Sequence, residues 1–118
     1  MKILVCGGRD YYDENKIMEV LTDVIGLEKN VLVIHGACKT GTDSIVQKFC
    51  DSYLVTTKPY PANWEKFGRR AGPIRNQQML DDNPDIDVFI AFPGGAGTKD
   101  MVKKAMQSKI PRINICEW

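Results

Sequence analysis

The sequence is poor in the residues from which most catalytic and metal sites are built. It holds one histidine, His35, and its four cysteines (Cys6, Cys38, Cys50, Cys116) form no CxxC pair. No paired carboxylates, metal-ligand cluster or Ser-His-Asp set emerges, so no metal is expected and the catalytic residues stay unassigned. Most of the cysteines lie in apolar contexts and read as reduced thiols of a cytoplasmic protein. Cys38, in a loop, has no second histidine or cysteine nearby and reads as a bystander. Charge of one sign is also lacking: the net charge is +1, so no strong overall field draws the chain to nucleic acid or membrane. No apolar run approaches membrane-spanning length. Lys2 is followed by only four apolar residues before Gly7, which is no signal-peptide pattern. The GxxxxGK[ST] phosphate loop is absent as well.

What remains is the composition of an ordinary globular protein, 118 residues with 43% apolar and 26% charged. That is one domain, residues 1–118, with enough chain for its own core. Short apolar runs alternate with stretches of helical spacing. Lys2 to Cys6, Val31 to Ile34, Leu54 to Thr57, Asp87 to Phe92 and Arg112 to Cys116 read as strands. Residues 13 to 27, with Asp13 as cap, read as a helix, as do 73 to 82 and the stripes of Ile45, Val46 and Phe49 and of Met101, Val102 and Ala105. Strands alternating with helices imply a three-layer α/β/α Rossmann-like domain around a parallel five-stranded sheet. The expected order is 3-2-1-4-5, with the ligand at the switch between strands 1 and 4.

The chain is organised around Phe92-Pro93-Gly94-Gly95-Ala96-Gly97-Thr98, between a buried strand and a helix. Glycines there let a ligand approach the main chain, and the helix start favours an anion, most often phosphate. Thr98 either caps the helix or bonds the ligand. Three further unusual loops share that rim in a parallel sheet. Gly7-Gly8-Arg9-Asp10 offers close backbone approach, a cation and a carboxylate. Gly36, Thr40, Gly41, Thr42 and Asp43 look like a second phosphate cradle at a helix start. His35 is either packed and hydrogen-bonded or catalytic. Residues 59 to 75 read as a functional loop, with Trp64, Phe67, Arg69, Arg70 and Arg75 suited to base and phosphate recognition.

The Cys-Gly-Gly-Arg-Asp opening, His-Gly-x-x-x-x-Gly-Thr-Asp, Arg-Ala-Gly-Pro-x-Arg-Asn and Pro-Gly-Gly-x-Gly-Thr together resemble the SLOG superfamily. Within it they are most similar to the YspA/YpsA-related branch of bacteria and their phages. The resemblance implies a Rossmann-like domain binding nucleotides or nucleotide-derived signals. It implies Gly8, Arg9, Gly36, Gly41, Asp43, Arg75, Asn76, Gly94, Gly95, Gly97 and Thr98 as binding positions. The expected role is a sensor or sequestering protein for a phosphorylated nucleoside, with no further cofactor expected. One alternative is the nucleoside-phosphate N-glycosidase activity of the similar Lonely Guy phosphoribohydrolases. Their PGGxGTxxE glutamate is replaced here by Met101, leaving Asp10, Asp43 or Asp100 as substitutes. The other alternative is single-stranded nucleic-acid binding, as in the similar DprA. Fold-level analogy adds a homo-oligomer, dimer or tetramer.

Overall fold

The apolar run at the start of the chain becomes the central strand β1, Lys2–Cys6, in the computed structural model, which describes residues 1–116. The last two residues of the expected 1–118 domain lie outside the described residues. β1 pairs with β2 (Leu32–His35) on one side and β4 (Val88–Ala91) on the other. β3 (Thr56–Pro59) and β5 (Arg112–Ile115) form the edges. All pairings are parallel and the order is β3-β2-β1-β4-β5, as the sequence predicts.

Alternation along β1 splits the core into two layers. Ile3 and Val5 meet Ile17 and Leu21 of α1 (Glu14–Ile25) and Val46 and Phe49 of α2 (Thr42–Ser52). Leu4 and Cys6 meet Met79 of α4 (Ala71–Asp82) and Met101 of α5 (Ala96–Gln107) on the other face. Burying each large side chain contributes roughly 1.5–3 kcal/mol, and central strands covered on both faces gather most of that. Asp13 caps α1 as expected, accepting the Lys16 N–H at 3.1 Å. No helix among the described residues is long and apolar enough to cross a membrane.

Two local expectations need correction. The third strand begins at Thr56, not Leu54, because Leu54 takes φ 57° in the turn leaving α2 and is 92% exposed. The stretch from 59 to 75 is largely helical. It contains α3 (Trp64–Phe67), a 3-10 turn over Gly68–Arg70, and α4, which starts two residues before the predicted 73. Asn63 starts α3 by accepting the Lys66 N–H at 3.0 Å. Pro73 falls in the first turn of α4, where a missing N–H costs nothing.

Candidate functional site

Three loops meet backbone to backbone at the carboxyl ends of β1, β2 and β4. The Gly8 N–H donates to the Pro93 carbonyl at 2.8 Å. The Gly8 carbonyl accepts the Thr42 N–H and the Thr42 hydroxyl, each at 3.1 Å. The Thr40 hydroxyl donates to the Arg9 carbonyl at 2.9 Å. Crossings this close leave no room for side chains: a Cβ on Gly8 would lie 2.9 Å from the Pro93 carbonyl oxygen. One on Gly41, which sits at φ 70°, would strike Gly8 and Arg9. Within the segment expected to be a second phosphate cradle, Thr40, Gly41 and Thr42 thus buttress the loop after β1, while Gly36 and Asp43 lie on the cavity wall. Thr40, Gly41 and Thr42 do not line the cavity, and Thr42 is fully buried with its hydroxyl committed.

Between these loops lies a cavity of about 670 Å³. Its wall includes Gly8, Arg9, Asp10, Gly36, Asp43, Arg75, Asn76, Pro93, Gly94, Gly95, Gly97 and Thr98 from the sequence reading. α5 starts here with Gly95 at its cap position and no side chain bonded to its first turn. Thr98 is not the cap; it is buried, with its hydroxyl packed against Gly94. The free N–H groups and the positive end of the helix dipole face the cavity mouth, an arrangement that attracts anions. Gly95 and Gly97 differ from the other rim glycines. A Cβ at either would meet nothing within 4 Å, and neither has a positive φ.

The arginines divide. Arg9 lines the cavity and lies 5.8 Å from the centroid of Trp64, which stands behind it off the wall. Arg70 lies in the exposed 3-10 turn, also off the wall. Arg75 is held inside. Its Nη1 donates to the Gly36 carbonyl and, at 3.4 Å, to that of Tyr60, while Nε donates to Asn76 Oδ1 at 3.0 Å. Asn76 Nδ2 in turn donates to Asp100 Oδ2 at 3.0 Å and the Gly97 carbonyl at 3.3 Å. Arg75 is thereby tied to the start of α5. Asp100 also pairs with Lys104 at 2.7 Å and is absent from the wall. Burial pulls its carboxyl upward, but the Lys104 and Asn76 hydrogen bonds together hold it below the usual range. His35 is structural: Gln47 donates to Asp51 at 2.8 Å, so its Oε1 accepts from His35 Nε2 at 2.6 Å. The Ala37 N–H donates to Nδ1 at 3.0 Å and holds Ala37 at φ 56°.

Asp43 is the unusual group on the wall. It is 7% exposed, and its Oδ2 accepts the Cys38 N–H at 3.1 Å. Oδ1 has no partner, alone in this among buried side-chain polar atoms of the described residues. Burial raises its carboxyl above the usual range, against the pull of the Cys38 N–H, His35, Arg75 and the Gly36 N–H. A raised folded value means that the fold is most stable with Asp43 protonated, below its ordinary 3.8, and loses stability as pH rises through the raised value. Asp43→Asn should therefore stabilise the free protein more near pH 8 than near pH 4. Thermal melts of both proteins across that range measure it. A gain independent of pH would mean that the carboxylate is not the destabilised species.

Sequence reasoning missed Cys6, Tyr11, Cys38, Met79, Ala96 and Met101 on the wall. Cys38, read as a bystander, contributes both wall and the N–H that orients Asp43. Cys6 follows from β1 alternation, which turns it to the face of Leu4; burial pushes its thiol far up, so it is no nucleophile. Met101 is 1% exposed and part of the core. A second cavity, about 740 Å³, lies at the opposite end of the strands among Met1, Ile25, Phe49, Tyr53 and Val55. It has neither the glycine loops nor a helix start.

Residues 1–67 match the pattern of the YspA, cpYpsA-related SLOG family (YAcAr). The Gene 61 protein of Mycobacterium phage D29 is 30% identical over 121 residues, covering 96% of this chain and 94% of that protein. No solved structure matches the chain. The match takes in the loops after β1 and β2, which bring Gly8, Arg9, Gly36 and Cys38 to the cavity wall, and the start of α2, which brings Asp43; the phage relative spans the rest. The chain belongs to the YspA, cpYpsA-related SLOG family.

Proposed function

We propose that the protein binds a phosphorylated nucleoside or nucleotide-derived signal, as a sensor or sequestering protein, with the phosphate at the start of α5. The observation that carries this reading is Gly97. It lies in a helix, where glycine costs up to about 1 kcal/mol against alanine, yet nothing in the protein occupies the place of its Cβ. The place is open to an occupant from outside the chain. Uncapped N–H groups, Arg9 and Arg75 make that occupant an anion. A cavity of about 670 Å³ suits one small ligand. Family membership favours a nucleotide. Four free cysteines suit a reducing cytoplasm.

The test is calorimetric titration with the four ribonucleoside 5′-monophosphates and with a twenty-base single strand at two salt concentrations. A mononucleotide pocket binds at least one monophosphate and ignores strand length. A DprA-like groove instead shows affinity that grows with length and falls with salt, at about −0.7 per neutralised phosphate in the log–log slope.

Binding without hydrolysis is the favoured form. The position of the Lonely Guy glutamate is filled by the buried Met101, which has no charge to offer an oxocarbenium ion, and Asp100 is held by Lys104 and Asn76. Incubation with nucleoside monophosphates should release no free base at enzyme-like rates, on the order of 1 per second or faster. Sustained release lost in Asp43→Asn would replace binding by hydrolysis.

A further inference from the structure

We infer that Asp43 and Arg75 form a sugar-hydroxyl subsite that selects a ribosyl ligand over its deoxy counterpart. The inference rests on the reading above, in which the phosphate sits at α5.

Both residues line the cavity and flank Gly36: a Cβ there would lie 2.6 Å from Arg75 Nη1 and 3.1 Å from Asp43 Oδ2. They make no ion pair within 4.0 Å, and each keeps hydrogen-bonding capacity unspent. On Asp43 it is the acceptor Oδ1. On Arg75 it is Nη2, which has no hydrogen-bond partner among the described residues, Nη1 and Nε being used on Gly36, Tyr60 and Asn76. Oδ1 is shielded from bulk water, so a ligand hydroxyl meets it once the Asp43 carboxyl turns toward the cavity that the residue lines.

The pair selects the chemistry of that group. Where Asp43 is ionised, a phosphate or carbonyl oxygen brings no proton to it. An ammonium or base amino group brings protons but no lone pair for Arg75, and an ammonium is repelled by Arg9 and Arg75 together. A hydroxyl donates to Asp43 and accepts from Arg75 at once. A site that bonds a hydroxyl rejects the analogue lacking it strongly, because its own polar groups are left unpaired. Asn76 makes the two ends of the ligand interdependent, since it bonds both Arg75 and the Gly97 carbonyl.

The experiment titrates the protein with the four ribonucleoside 5′-monophosphates, their 2′-deoxy and 3′-deoxy counterparts, and the unphosphorylated ribonucleosides. The expected result is at least one monophosphate bound about tenfold or more tighter than a deoxy counterpart. Asp43→Asn should bring that ratio near one while changing affinity for the deoxy compound little. Equal affinity of ribo and deoxy compounds in the unaltered protein overturns the subsite, and leaves the phosphate reading standing. Nucleosides that bind as well as monophosphates, with the ribo preference kept, count against the phosphate reading and for the subsite. Binding of none of these compounds overturns both.

Discussion

Gly95→Asp should reduce binding of ribonucleoside 5′-monophosphates by about a hundredfold or more while leaving the melting temperature close to that of the parent. A Cβ at Gly95 meets nothing in the protein, and the residue is exposed at the cap position of α5, so the fold has little to lose. An aspartate there even makes a good helix cap. For an anion the effect is reversed: the new carboxylate takes the N–H groups and repels the phosphate at contact distance. Gly97→Ala is the companion variant. It should stabilise the helix by roughly 0.5 kcal/mol and weaken binding through bulk alone. Unchanged affinity in Gly95→Asp would place the anion site elsewhere.

Gly41→Ala should do the opposite, lowering stability by about 3 kcal/mol or more. Gly41 lies at φ 70° and ψ −141°, a region closed to residues with a Cβ, and the added carbon would enter the backbone of Gly8 and Arg9. Strain and overlap add, because the neighbouring atoms are main chain and have no rotamer to yield. Chemical denaturation measures the loss as a lower midpoint with an unchanged slope. A variant as stable as the parent would show that the loop after β2 can move away from the loop after β1.

These two glycines show what was legible in the sequence and what was not. The sheet was legible because runs such as Val88–Ala91, buried on both faces, need no tertiary context to be read. β3 was read two residues early because an edge strand of sequence TTKP has no apolar pattern to mark its start. The glycine loops were evident, but one letter stands for two different physical demands. Gly8 and Gly41 make way for crossing main chain, whereas Gly95 and Gly97 border empty space. Only coordinates separate them. Thr40 and Thr42 look like ligand donors for the same reason, and their hydroxyls turn out to serve carbonyls of a distant loop. Trp64 drew notice beside arginines, yet it belongs to α3, a short helix with no buried residue, and reaches the site only through Arg9. Arg75 and Asn76, which the sequence offers as ligand-binding positions, lie on the cavity wall, while their link to Asp100 depends on how α4 meets α5.

The tie between Gly8 and Pro93 also bears on when the protein becomes competent to bind. The loop after β1 emerges early in synthesis and the loop after β2 soon after, but the first lacks its Pro93 partner until β4 has docked beside β1. Joining segments so remote in the chain carries a loop-closure entropy that must be met before the contact rewards it, so it belongs to the later part of folding. A nascent chain that stops before β4 holds the arginine of the first loop and the carboxylate of the second, without the helix start that faces them. Half-folded forms therefore lack the complete cavity, and a ligand of that cavity would stabilise the finished fold alone.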